Sequence, residues 1–468
     1  MTYEANWESV SRHQVPQWYH DAKLGIFIHW GLYAVPGWAP TTGPLPEVVE
    51  REGWAGWFRN NPYAEWYMNS LRVPGSTTAE YHAQHYGANT SYQQFASQFN
   101  AQLQGWQPTA WAELFSKAGA QYVVLTTKHH DGFLLWPSAL QNPFHQQYYA
   151  QRDIVGELSA AVRQQGLHMG LYYSGGLDWT FNDHIIADLP DLFQAIPQRA
   201  DYMSYATSHF EELIERYAPS VLWNDIGYPA AADLPQLFAA YYNALPDGVI
   251  NDRFTQLQLP DRQESLAELF AEGGPKPKHY DFRTPEYTVF DTIQAEKWEC
   301  CRGLGFSFGY NRNESAATIM SATELIHSFV DIVSKNGNLL LNIGPRSDGS
   351  IAIEQQERLL ALGEWLALNG DAIYATRPWK RAEGQTGDGV PLRFTQRDNT
   401  LNAIVLGTAQ STSVVLTELV PQDYTVIQLA GRQQPLAWER VEQGIVVSLP
   451  ELLPEECAYT FQISPAPL

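Results

Sequence analysis

Five short β-rich runs end on side chains that can do chemistry. LGIFIH (24–29) closes on His29 and Trp30. YVVLTT (122–127) leads into Lys128, His129, His130 and Asp131. HMGLYY (168–173) ends in Tyr172 and Tyr173, followed by a Ser-Gly-Gly turn. The run 221–223 passes into Asn224 and Asp225, and the run 249–251 into Asp252 and Arg253. In a barrel of parallel strands, functional groups gather where strands end and loops begin. A single histidine at a strand end is more often structural than catalytic. Five strands in series with polar and aromatic ends on the same side are not explained by independent structural accidents.

Carboxylates, neutral imidazoles and aromatic rings suit an uncharged, hydroxyl-rich substrate with one apolar face. Imidazole and carboxylate hydrogen-bond hydroxyls, and aromatic rings cover C–H surface. The chain has no glycine-rich phosphate loop and no G-x-S-x-G elbow. The profile is that of a glycoside hydrolase, which needs two carboxyl groups flanking the bond it breaks. A metal-dependent barrel hydrolase using His29, His129, His130 and Asp225 is the second reading. Against it, the first strand offers no H-x-H pair. Adjacent His129 and His130 are also expected to face opposite ways if strand geometry continues through them. No metal and no cofactor are therefore expected.

The elements that must position these groups alternate strand with helix over residues 20 to 375. Asp153 reads as an N-cap ahead of Ile154, Leu158, Ala161 and Val162, and Ser321 with Glu324 as a capping box. Runs apolar on both faces, separated by helices, imply a buried parallel sheet. The count favours a (β/α)8-like barrel, with six strands clear and eight inferred. After about residue 373 the helical period disappears. Short strands are expected at 392–395, 401–406, 413–416, 425–429, 444–449 and 459–463, as in a small antiparallel β-sandwich. The expected domains are a catalytic barrel over 1–374 and a sandwich over 375–468. All 13 histidines lie at or before His327, which places the chemistry in the first domain.

The 468 residues include 29 Lys plus Arg and 51 Asp plus Glu, a formal net charge of −22. Such a chain is repelled by nucleic acid and by anionic membrane surfaces. No run reaches the ~18 apolar residues of a membrane span. The N-terminal residues lack a basic stretch followed by an apolar one, and the three cysteines (Cys300, Cys301, Cys457) imply no disulfide framework. The expected location is the cytoplasm.

Several segments closely resemble the α-L-fucosidases of glycoside hydrolase family 29. They are WYHDAKLGIFIHWGLYAVPGWAP (18–40), AEWYMN (64–69), YVVLTTKHHDGFLLWPS (122–138), GLYYSGGLDW (170–179), VLWNDIGYP (221–229), GLGFSFGYNRNE (303–314) and NLLLNIGPRSDGSI (338–351). The resemblance spans nearly the whole chain, in order. It implies a retaining exo-glycosidase acting on terminal α-L-fucose of glycans or glycosides, with transfucosylation open as a second outcome. It implies Asp225 as nucleophile and Glu286, in DFRTPEY (281–287), as acid/base. Glu65 and Glu299 are the rival acids. It further implies a fucose-binding set of His29, Glu65, Trp66, His129, His130, Tyr172 and Arg253, with Phe308 and Trp298 as an apolar wall for the C5 methyl. A homo-oligomer is expected by the same resemblance. A catalytically inactive fucose-binding protein is a third reading, disfavoured by the presence of Asp225 and Glu286. One departure stands out: 254–278, including SLAELFAE, is longer than the corresponding stretch in similar enzymes. That insertion would be a lid, an acceptor-site wall or a subunit contact.

Overall fold

The computed structural model describes residues 2–43, 45–256, 276–453 and 457–467. The SLAELFAE stretch lies outside them. Seven strands form one parallel sheet: β1 (Leu24–Ile28), β2 (Tyr122–Lys128), β3 (His168–Tyr173), β4 (Val221–Asn224), β5 (Val249–Ile250), β6 (Trp298–Gly303) and β7 (Gly337–Ile343). Their order is β5-β4-β3-β2-β1-β7-β6. Almost every strand residue is buried, so both faces carry apolar side chains and the runs read as continuously hydrophobic.

The gap between β5 and β6 is filled by residues 281–286. Asp281 N–H donates to Ile250 O (2.8 Å) on one side. On the other, Arg283 N–H donates to Lys297 O (3.0 Å) and Glu299 N–H to Arg283 O (2.8 Å). This segment occupies the eighth place of the barrel through single bridges rather than a ladder. Pro285 lacks an N–H and interrupts any longer pairing. The two places missing from the six legible strands are therefore this segment and β6, whose WECCRG sequence carries charges that mask it.

The eighth place is pinned at its base by the buried Asp281 carboxylate. Asp281 accepts hydrogen bonds from Tyr242 Oη (2.9 Å) and Ile250 N–H (2.8 Å), and its Oδ1 lies 2.8 Å from His13 Nδ1. The helix caps form as expected. Asp153 caps the helix Ile154–Gln164, and Ser321 with Glu324 makes the capping box of Ala322–Ser334.

Beyond the barrel lie β8 (Arg377–Gln385), β9 (Pro391–Arg397), β10 (Thr400–Val405), β11 (Ser413–Thr417), β12 (Val426–Leu429), β13 (Ala437–Val441), β14 (Gly444–Ser448) and β15 (Tyr459–Ser464). They form two antiparallel sheets, β12-β15-β10-β9-β8 and β11-β14-β13. Residues of both sheets, such as Phe394, Ala403, Leu416 and Val447, share one apolar core separate from that of the barrel. The two strands that the sequence pattern does not reveal, β8 and β13, are both at sheet edges. They carry many polar side chains, half-buried or exposed in β8 and mostly exposed in β13, so the alternation is lost. The sandwich is tied to the barrel by Trp365 Nε1–H to Ala458 O (2.9 Å), by Thr460 Oγ–H to Asn369 Oδ1 (2.8 Å) and by the Arg393–Asp331 ion pair.

Removing the Asp281 carboxylate leaves the Ile250 N–H and His13 Nδ1 buried without this partner, while Tyr242 Oη keeps His279 Nε2 at 2.6 Å. Asp281→Ala is expected to lower stability by about 3 kcal/mol, read as a lower urea midpoint of barrel tryptophan fluorescence. An unchanged midpoint would show that the eighth place is held by other contacts.

Candidate active site

A cavity of about 620 Å³ opens at the ends of the barrel strands. His29, Glu65, Trp66, His129, His130, Tyr172, Asp225, Arg253, Glu286 and Phe308 all line it. Trp298 does not.

Asp225 follows β4 and is aimed by a constrained turn. The next residue, Ile226, has φ of 54°, a left-handed conformation that a β-branched side chain rarely adopts. Gly176, in the loop after β3, lies so close that a Cβ there would meet Ile226 O at 2.0 Å. Arg253 Nη1 donates to Asp225 Oδ1 (2.8 Å) and Tyr172 Oη to Asp225 Oδ2 (2.8 Å). Burial pushes the Asp225 carboxyl up, but Arg253 and these hydrogen bonds together hold it below the ordinary aspartate range.

The same guanidinium reaches the second acid. Arg253 Nη2 lies 3.4 Å from Glu286 Oε2, and Tyr63 Oη donates to Glu286 Oε1 (3.0 Å). Here burial and the neighbouring Asp225 charge outweigh Arg253, so the Glu286 carboxyl is raised above its ordinary value. Arg253 is itself held by Thr284 Oγ1 (3.0 Å) and lies 4.6 Å above the ring of Trp223. The site thus contains one carboxyl biased toward ionisation and one biased toward protonation, both in contact with a single cation.

The histidines have assigned roles. Asn342 Nδ2–H donates to Phe308 O (2.6 Å), so Asn342 Oδ1 is an acceptor and His29 Nδ1, 2.7 Å away, carries the hydrogen. Ser174 Oγ–H donates to Leu177 O (2.8 Å), so His130 Nδ1, 2.6 Å from Ser174 Oγ, carries one as well. Burial lowers His29 to about 4 and His130 to about 3. Both rings are neutral at physiological pH, with Nε2 left as an acceptor. His130 Nε2 is 3.8 Å from Asp225 Oδ2. Burial, with His130, His29 and Lys128 nearby, also lowers His129. Its Nδ1 has no hydrogen-bond partner among the described residues.

Glu65, in the turn Ala64–Trp66, accepts the Gly309 N–H (2.8 Å), and burial pushes it up to about 8. Phe308 packs 4.9 Å from His29 and 5.7 Å from Tyr63. Trp66 stands edge-on to His130 at 5.3 Å.

The placing of Trp298 needs correction, the rival acid Glu299 is set aside, and the strand condition on His129 and His130 is not met. Trp298 begins β6, at the barrel end away from the strand tips, and its indole N–H donates to Lys335 O (2.9 Å). The aromatic wall comes instead from Phe27, Tyr63, Trp223, Tyr287 and Phe306 beside Phe308. Glu299 is fully buried outside the cavity and accepts three hydrogen bonds, so it is not placed as an acid. His129 and His130 do not face opposite ways. The strand ends at Lys128, the chain turns, and their rings lie 3.9 Å apart on the same wall. Even so, no group of three or more His, Cys, Asp or Glu among the described residues is placed to hold a metal ion.

Residues 1–371 match the family model for α-L-fucosidase, and residues 389–464 match that for the α-L-fucosidase C-terminal domain. The chain belongs to the α-L-fucosidase family of glycoside hydrolases. It is 32% identical over 475 residues to mouse tissue α-L-fucosidase, covering 99% of this chain and 94% of the relative. A Thermotoga maritima α-fucosidase solved in complex with fucose superposes with a TM-score of 0.84 at 41% identity, covering 98% of this chain and all of the other. A further solved α-L-fucosidase gives a TM-score of 0.89 at 43% identity, over 98% of this chain and 99% of the other.

Four contributors to this fucosidase site escape sequence reasoning: Tyr63, Ser174, Asn342 and Trp223. Tyr63 directly precedes the AEWYMN segment, and the other three lie inside quoted strand-end motifs, but nothing in their spacing reveals what they touch. The two tautomers are open to measurement. Ring-nitrogen NMR at pH 6 should show His29 and His130 neutral with hydrogen on Nδ1. A protonated ring at that pH, or hydrogen on Nε2, would contradict the assignment.

Proposed function

We propose that this chain is a retaining exo-α-L-fucosidase that works through a covalent fucosyl–enzyme intermediate. The observation that carries the reading is the bridging of two carboxyls of opposite protonation bias by Arg253. The fucose found in the similar Thermotoga enzyme supports the choice of sugar.

An ionised Asp225 attacks the anomeric carbon. As the C1–oxygen bond to the leaving group breaks, Glu286 gives its proton to that oxygen. Glu286, now a carboxylate, takes a proton from water. The water oxygen bonds to C1, and the Asp225–C1 bond breaks. A sugar hydroxyl in place of water would give transfucosylation. Retention requires the two carboxyls to lie about 5–5.5 Å apart. A shared guanidinium is a means of holding two carboxyls close together.

His29 and His130 offer Nε2 lone pairs to sugar hydroxyls, and Glu65, when protonated, offers a donor. Fucose is a 6-deoxy sugar. The Phe308 wall accepts its methyl and disfavours a hydroxymethyl, which would be buried without a hydrogen-bond partner.

Asp225→Gly is expected to lose at least 1,000-fold in kcat on a nitrophenyl fucoside, the scale on which losing a nucleophile acts. Azide should restore turnover and yield β-fucosyl azide. Activity near that of the parent would remove Asp225 from the role. Glu286→Ala should slow substrates with poor leaving groups far more than nitrophenyl fucosides, and an equal loss on both would move the acid elsewhere. Tyr63→Phe removes a hydrogen bond that favours ionised Glu286. The alkaline limb of kcat/KM should then move to higher pH, whereas a shift to lower pH would reverse the assignment.

A further inference from the structure

Glu299 is a fully buried carboxyl that the reaction above does not use. It projects inside the barrel from the second position of β6. Tyr19 Oη (2.8 Å) and Tyr122 Oη (2.5 Å) donate to Glu299 Oε2, and Trp223 Nε1–H (3.1 Å) donates to Glu299 Oε1. The basic side chain near it is Lys297, at the foot of β6, which burial lowers well below the ordinary lysine range. The two tyrosines come from the helix Gln17–Ala22 and from β2, and they are anchors. Trp223, the third partner, lines the active-site cavity.

Trp223 lies under both groups that hydrogen-bond Asp225 through their side chains. The Arg253 guanidinium is 4.6 Å from its ring centre, and Tyr172 stacks on it at 5.4 Å and 25°. A cation over an indole face is attracted by the ring's electron density. A carboxyl oxygen accepting the indole N–H fixes the ring's rotation. The carboxyl's own hydrogen-bond valences are taken up by partners on three different elements, so it stays in place. Asp225 is otherwise faced by His130, by Glu286 and by the Ile226 N–H.

We propose that Glu299 is a positioning residue. By holding the Trp223 indole, it sets the plate on which Arg253 and Tyr172 are seated, and so keeps Asp225 ionised. The inference rests on Asp225 being the nucleophile.

The test is the acid limb of kcat/KM, which reports the free enzyme. In Glu299→Gln that limb should move up by about half a pH unit or more, about threefold in rate at a pH on the limb. Trp223→Phe, which keeps a ring but lacks the N–H, should move it in the same direction. The double variant should move it no further than Trp223→Phe alone, because the coupling between the two residues runs through one hydrogen bond. A folded Glu299→Gln with an unmoved limb, or shifts that add in the double variant, would overturn the role. Where Glu299→Gln does not accumulate as folded protein, Trp223→Phe alone decides, and an unmoved limb counts against the proposal. Azide rescue of Asp225→Gly separates the two claims. Failed rescue strikes the nucleophile assignment, and intact rescue with an unmoved limb strikes the role of Glu299.

Discussion

Two carboxyl groups in a largely desolvated cavity set the constraint that the rest of the structure serves. A carboxylate removed from water takes up a proton unless a cation or donors compensate it, and two adjacent carboxyls resist ionising together. Arg253 resolves this unequally. Asp225 receives a close guanidinium contact and the Tyr172 hydroxyl, whereas Glu286 receives a longer contact and the Tyr63 hydroxyl. The result is a carboxyl lowered toward ionisation beside one raised toward protonation, which is the asymmetry that glycoside hydrolysis uses.

Placing that guanidinium requires much of the barrel. Arg253 leaves the end of β5, lies over Trp223 of β4 and is held by Thr284 of the eighth segment. The segment that closes the barrel is therefore the one that carries Glu286. Its foot is clamped by Asp281 to His13 and Tyr242. Neighbouring loops are stiffened in a similar way. The ion pair of Lys128 with Asp178, fully buried, anchors the loop after β3, whose Ser174 orients His130. Closure of the barrel and orientation of the imidazoles both depend on these buried polar contacts.

The parts legible in the sequence are those with a repeating or local signature. Apolar runs mark β1 to β5 and β7, and cap residues mark the helices after β2 and before β7. Glu299 and Arg302 hide β6, and Pro285 hides the eighth place, because each breaks the apolar pattern where the fold needs a charge or a sharp turn. The edge strands β8 and β13 each turn little more than one tryptophan, Trp379 and Trp438, to the core, too little for a visible alternation. The resemblance implies Trp298 as part of the methyl wall, and only the register of β6 shows that it sits at the other end of the strand. His129 and His130 show the converse: alternation predicts opposite faces, but the strand stops one residue earlier. Tyr63 and Asn342 act through partners more than 200 residues away in the chain, a relation that spacing does not carry.

The most direct test is a carboxyl-carbon NMR titration that resolves Asp225 and Glu286 in the free enzyme. Asp225 should titrate below the ordinary aspartate range and Glu286 above the ordinary glutamate range. The reverse order, or two unperturbed carboxyls, would contradict the account in which Arg253 holds Asp225 low while burial and the Asp225 charge raise Glu286.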